Sequence, residues 1–181
     1  LTQPKWVTFR RKAFSMANMT KQQFEAQRAN EMRANFYKSI IRQDEGLRLK
    51  PYKAQKDEKY FTIGYGRYGK EVEAMGTITK ERAEELLDED VKKRMKTITQ
   101  YLPDFYTYPL DLQGAIFSEH YRGSIAQSPK TTKLITQGLF SEAGEEFLKN
   151  EQYKNRVELG VPGIGPRMER VVKFLNKYVA K

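Results

Sequence analysis

Cysteine is absent from the 181 residues, so disulfide scaffolds, thiolate zinc sites and cysteine nucleophiles are excluded. The single histidine, His120, leaves no histidine-rich metal site; on its own it reads as a core or cleft-wall side chain. No apolar run approaches the roughly 18 residues that a membrane helix needs. The charged start, Leu1 to Lys12, leads into no signal-type apolar core. Leu1 in place of Met points to a processed chain or to part of a longer protein, and no internal repeat is apparent. Acidic residues are the scarcer charge, 23 against 33 Lys and Arg, for a formal net charge of +10. Such a balance favours an anionic partner: nucleic acid, an acidic membrane surface or bacterial cell-wall polysaccharide. With 39% hydrophobic and 12% aromatic residues in 21.2 kDa, the chain is expected to fold as one domain, or one domain with an arm, rather than as a basic tail.

The pattern along the chain is that of a mostly helical α+β protein. Leu1 to Asn18 mixes cations with Trp6, Phe9 and Phe14 and shows no sustained period, which predicts an extended or weakly ordered arm. Thr20-Lys-Gln-Gln23 is a capping-box pattern. It opens a helix expected to run to about Arg42, with Phe24, Met32, Phe36 and Ile40 at multiples of four. Gly46 and Pro51 break that pattern, and Tyr60-Phe61-Thr62-Ile63 followed by Gly64, Gly66 and Gly69 predicts a small sheet between residues 52 and 78. Thr79 is a good N-cap for a long helix with Ala83, Leu87, Val91, Met95 and Ile98 on one face. An aromatic loop between Pro103 and Pro109 precedes a helix over Leu110 to Tyr121. Two short helices follow, one ending at Gly138 and one over Ser141 to Lys149. After the Gly160 to Gly165 turn, Pro166 stands where a last helix with Met168, Val171, Val172, Leu175 and Tyr178 would begin.

Several segments carry candidate chemistry. Gly64-Tyr-Gly66-Arg-Tyr-Gly69-Lys70 imitates phosphate-binding loops, but Glu71 follows the lysine where a magnesium-binding hydroxyl is needed. Lys70 to Gly76 is also too short for the helix whose N-terminus receives a phosphate. Glycine-lined turns in a small sheet explain the cluster better. Basic residues among aromatics, at Lys5 to Lys12 and Tyr65 to Lys70, have the composition of a nucleic-acid surface, although solvated faces account for most such clusters. The most informative stretch is Gln43-Asp44-Glu45-Gly46-Leu47-Arg48-Leu49-Lys50-Pro51-Tyr52, followed by Tyr60 to Gly66. A carboxylate at a helix end and a glycine-flanked threonine on the returning strand place an acid and a hydroxyl across one small cleft. Tyr52, Tyr60, Phe61 and Tyr65 supply the partly apolar setting in which a carboxyl keeps its proton at neutral pH.

Three pieces in order, Asp44 to Leu49 with Tyr52-Lys53, Tyr60 to Gly66, and Ile78-Thr79-Lys80 leading into Ala83-Glu84 and Asp90-Val91, make the chain resemble the bacteriophage-type lysozymes, the endolysin muramidases. The likeness covers residues 38 to 98 well and the later helices loosely. It implies a lysozyme-like α+β fold over residues 39 to 181, with a small sheet lobe joined by the Thr79 helix to a larger helical lobe. Residues 1 to 38 would form a basic helical arm. It implies hydrolysis of the β-1,4 bond between N-acetylmuramic acid and N-acetylglucosamine, with Glu45 as general acid and Thr62 holding the attacking water. Glycan contacts would come from Gly64, Tyr65, Arg67, His120, Tyr121 and Arg122, with no metal or cofactor.

The family's second acid falls, by counting, at Ala54 from Glu45 and at Lys56 from Thr62, because this loop is two residues longer. Asp57 is the expected replacement, with Glu58 beside it and Glu119 more remote. The competing expectation is a noncatalytic peptidoglycan- or nucleic-acid-binding module on the same fold. Peptidoglycan is the expected partner, with no nucleic acid required and no membrane insertion. A phage-encoded protein would act from host cytoplasm to periplasm or travel in the virion, where residues 1 to 38 would meet other virion proteins.

Overall fold

A computed structural model describes residues 19–54 and 57–179. The arm with Trp6, Phe9 and Phe14, and the expected virion contacts of its first eighteen residues, lie outside the described residues, as do Gln55 and Lys56. The chain divides into two compact units, residues 1–35 and 36–181. In the first, the capping box forms as expected: Thr20 N donates to Gln23 Oε1 at 2.9 Å and Gln23 N donates to Thr20 Oγ1 at 3.2 Å. The helix it opens, α1, spans Lys21–Glu45 and thus continues three residues past the expected end at Arg42. Gly46, at φ +66, is where it stops, since a left-handed residue cannot extend a right-handed helix.

The second unit has a small lobe and a helical lobe. In the small lobe, β1 (Arg48–Tyr52), β2 (Phe61–Gly64) and β3 (Arg67–Gly69) form an antiparallel sheet in the order β1-β2-β3. The sheet begins at Arg48, four residues before the expected start. Pro51 is tolerated within β1 because that strand lies at the sheet edge, where a missing N–H breaks no ladder bond. Ile63 of β2 packs with Val72 of the short helix α2 (Val72–Met75) and with Leu86, closing a small core with Phe61, Met75 and Ile78.

Leu86 belongs to α3 (Lys80–Thr97), the long helix, capped by Thr79 Oγ1 accepting from Arg82 N at 3.1 Å. Its buried positions Ala83, Leu86, Leu87 and Val91 follow the predicted face, with Leu86 added. A 3-10 turn, Ile98–Gln100, and a second at Phe105–Thr107 inside the aromatic loop lead to α4 (Leu110–Arg122). Every residue of α4 from Leu112 to Tyr121 is buried, so this helix is the axis of the helical lobe. The last helix, α8 (Ile164–Val179), packs on it; α6 (Phe140–Phe147) and the one-turn α7 (Glu151–Lys154) pack on α8, and α5 (Pro129–Thr136) packs on α6. Helix α7 has no counterpart in the sequence reading, and α8 begins two residues before Pro166.

The C-terminal part of α1 also packs on α4. Tyr37 stacks on Phe117 with ring centroids 4.2 Å apart, and its hydroxyl donates to Gln113 Oε1 at 2.6 Å. Tyr37 and Ile41 are the buried positions there, one residue beyond the expected Phe36 and Ile40, which are half-buried. The predicted stripe is rotated because Tyr37, an amphipathic residue, is what the core takes.

Candidate active site

Glu45 is the last residue of α1, and two distant segments converge on its carboxyl. Arg167 in the first part of α8 donates from Nη1 to Glu45 Oε1 at 2.8 Å. On the other side is the β2–β3 turn, with Gly64 and Gly66 at φ +64 and +89. A Cβ on Gly66 would stand 3.1 Å from Glu45 Oε2 and 3.3 Å from Cδ, so glycine is what lets the turn close on the carboxyl. The turn is pinned from both sides. Tyr65 OH donates to Glu84 Oε1 on α3 at 2.8 Å, and Tyr121 OH on α4 donates to Tyr65 O at 2.9 Å.

Behind Glu45 lies a buried charge network. Arg167 Nη2 donates to the Ser118 carbonyl and hydroxyl oxygens at 3.1 and 3.0 Å, while its Nε lies 3.7 Å from Asp44 and 3.4 Å from Glu119 Oε1. Asp44 also accepts from the Ser118 hydroxyl and from both terminal nitrogens of Arg170. Burial works against the charge of Asp44, but the bonds from Arg170 and Ser118 and the Arg167 charge outweigh it and hold this carboxyl below its ordinary value. Glu119 Oε2 accepts from Arg122 Nη2 and from Ser124 Oγ, both at 2.6 Å. Three carboxylates thus surround one guanidinium. Of them, Glu119 is fully buried and Asp44 nearly so, whereas the Glu45 side chain keeps 20% of its surface exposed. Glu45 is the member that can meet a ligand.

The structure brings Thr62 to the same sheet, buried on β2 and paired with Tyr52 across β1 and with Tyr68 across β3. Tyr52, Thr62 and Tyr68 therefore share one face, since directly paired residues point the same way. The Tyr52 hydroxyl is shifted up, first by burial, against the opposing Arg48 charge, and then by the negative charges of Glu45 and Glu58. Asp57 and Ala54 are exposed and Glu58 is half-buried. The Glu58 carboxylate folds back to accept from Ala54 N at 2.9 Å.

Other residues singled out from sequence are held in contacts of their own. Arg67 makes a two-pronged pair with Asp90, at 3.0 and 2.7 Å, and reaches Glu89 at 3.0 Å. Arg122 is divided between Glu119 and Gln152 Oε1, the latter at 2.7 Å. Tyr121 is buried, with its hydroxyl pushed far up by burial and by the Asp90 and Glu45 charges. His120 is buried against Tyr101 and Phe117, with Nε2 3.0 Å from Thr97 Oγ1. Arg167 and Arg170 carry the site and were not singled out from sequence. Each lies more than 120 residues from the acid it meets, and no local spacing could have revealed them.

A family model described as phage lysozyme matches residues 42–169. The chain is 36% identical over 126 residues to an endolysin of Bacillus phage B103, covering 68% of this chain and 47% of that protein. It is 48% identical over 54 residues to an endolysin of Bacillus phage PZA, covering 30% of this chain and 21% of that protein. The matched part of the chain spans less than half the length of either curated relative.

Proposed function

The chain belongs to the phage lysozyme family, and on that premise we propose that it is a glycoside hydrolase that cleaves the β-1,4 bond between N-acetylmuramic acid and N-acetylglucosamine in bacterial peptidoglycan. The observation that carries this reading is the accessibility of Glu45 among the three carboxylates around Arg167. As general acid, Glu45 gives its proton to the glycosidic oxygen while the bond from that oxygen to the anomeric carbon breaks. The charge left on the carboxylate forms 2.8 Å from the Arg167 guanidinium, which stabilises it without any side chain having to move. Thr62, on the sheet face shared with Tyr52, holds the attacking water. The Gly64–Gly66 turn meets the glycan. Tyr121, His120 and Arg122 support the cleft wall from behind, and Arg67 ties the turn to α3.

Release of reducing ends from purified peptidoglycan tests the reading. The parent is expected to release them, and Glu45→Gln is expected to lower the rate by about 10²-fold or more with an unchanged circular dichroism spectrum. Equal release by both proteins would remove Glu45 from the chemistry.

Ala54, exposed where the family's second acid would be, favours one other reading, a noncatalytic module that binds peptidoglycan or nucleic acid. Binding of peptidoglycan by the parent with no release of reducing ends would establish it. In either case we propose a phage-encoded protein acting on the wall from the host interior or from the virion, with residues 1–38 available to virion partners. Among the described residues no helix is long and apolar enough to cross a membrane.

A further inference from the structure

Hydrolysis of a glycosidic bond with one acid leaves the attacking water without a base, and a second carboxylate is the general solution. Few acidic residues of the small lobe qualify. Glu71 and Glu73 lie beyond β3, and Asp57 is exposed at the tip of the loop between β1 and β2. Asp90 and Glu89 are taken up by Arg67. Glu58 differs from all of these. Its carboxylate is folded back along the loop and fixed by Ala54 N at 2.9 Å, which leaves the second oxygen for another partner. It is half-buried rather than solvated. It also acts on the same phenol as the acid does: the Tyr52 hydroxyl, held up first by burial, feels the negative charges of Glu45 and Glu58 together. Tyr52 pairs directly with Thr62 on the sheet. Ala54 follows Tyr52 by two residues, so the bond to its amide keeps the Glu58 carboxylate beside the end of the strand that pairs Tyr52 with Thr62.

Resting on the muramidase reading, we propose that Glu58, anchored through the Ala54 amide, is the second catalytic carboxylate and the base for the attacking water. Glu58 takes one proton from the water as its oxygen bonds to the anomeric carbon. At the same time the bond to the leaving oxygen breaks and that oxygen takes the proton of Glu45. Protons then re-equilibrate with solvent to restore both groups. The Ala54 amide is a positioning group: it holds one carboxylate oxygen of Glu58 so that the other is aimed.

The experiment measures kcat and KM for reducing-end release from purified peptidoglycan in the parent, Glu58→Gln and Asp57→Asn. Glutamine keeps an oxygen that accepts from Ala54 N, so the loop bond survives and only the base is removed. Glu58→Gln is expected to lower kcat by about 10²-fold or more with KM within about twofold, and Asp57→Asn to leave both within about twofold. The inference is overturned if kcat of Glu58→Gln stays within about threefold, if its loss lies in KM alone, or if Asp57→Asn shows the kcat loss in its place. In each of those outcomes an active parent keeps the muramidase reading standing. A parent that releases no reducing ends overturns that reading and this inference with it.

Discussion

His120 sits in a wall of the helical lobe where burial, and then the positive charge of Arg94, disfavour the imidazolium and push its pKa down from 6.5 to about 4, against a smaller opposing backbone interaction with Arg94. Thr97 and the rings of Tyr101 and Phe117 stand beside it. The sign of the linkage follows. As pH falls from about 6.5 to about 4, the unfolded chain takes up a proton that the folded protein refuses, so stability falls across that window. The loss is about 3 kcal/mol at most. Asp44, whose carboxyl is held below its ordinary 3.8, contributes stability that is lost only at more acid pH. Urea unfolding at pH 7, 5.5 and 4 is expected to show His120→Gln losing less stability than the parent over this range; parallel curves would place the acid lability elsewhere. The solitary histidine was legible in sequence as a wall residue, since its isolation leaves no ligand set. Arg167 was not legible, because its role depends on three carboxylates that only the fold assembles.

Between elements, the crossing of α1 and α4 depends on Gly114. An ideal Cβ there would lie 2.4 Å from Ile40 Cδ1 and 2.7 Å from Phe36 Cε1, well inside van der Waals contact. Gly114→Ala therefore sets two opposed effects against each other. Alanine favours an α-helix interior by about 1 kcal/mol over glycine, whereas overpacking a tight core costs about 1–3 kcal/mol. The atoms met are the outer ends of the half-buried Ile40 and Phe36 side chains, which can turn aside, so the two effects nearly cancel and a net change within about 1 kcal/mol is expected in urea unfolding. Ile40→Ala on the Gly114→Ala background should cost less than Ile40→Ala alone, because it relieves the clash. Additive losses would show that the helices separate freely. Helix α3 was readable because its Thr79 cap and its period coincide, whereas α1 was readable from its Thr20 cap but its period lay one residue away from the buried Tyr37 and Ile41. The start of β1 was not, because Pro51 reads as a break unless the strand is known to be at an edge. Helix α4 hides its burial for a related reason: Gln113, Ser118, Glu119 and His120 look like a solvent face, yet each is buried against a partner from another element or turn.

On the scale of the whole chain, the net charge of +10 is unevenly spread. Helix α3 carries six basic and six acidic residues, and its carboxylates pair with Lys38, Arg42, Arg67, Arg82 and Lys92. It contributes no excess. Between Arg48 and Lys70, the strands and their loops, seven cationic residues face two acidic ones; with Glu71 and Glu73 the small lobe as a whole keeps an excess of three. Several of these cations stand over aromatic rings: Arg48 over Tyr52 at 4.4 Å, Lys53 over Phe61 and Lys59 over Tyr60, both at 5.2 Å. A ring face offers attraction without cancelling charge, so the lobe bearing Thr62 and Glu58 projects a positive field. That field acts over about 10 Å at 0.1 M salt and about 3 Å at 1 M. Retention on purified, anionic peptidoglycan is therefore expected to fall steeply over this range, while the thermal unfolding midpoint changes little. The combined replacement Lys50→Glu, Lys53→Glu and Lys59→Glu should weaken retention at low salt and flatten its salt dependence. An unchanged salt dependence in that variant would move the electrostatic contact away from the sheet. The basic stretch before Thr20, with four cations and no acidic residue, would then be the next segment to neutralise.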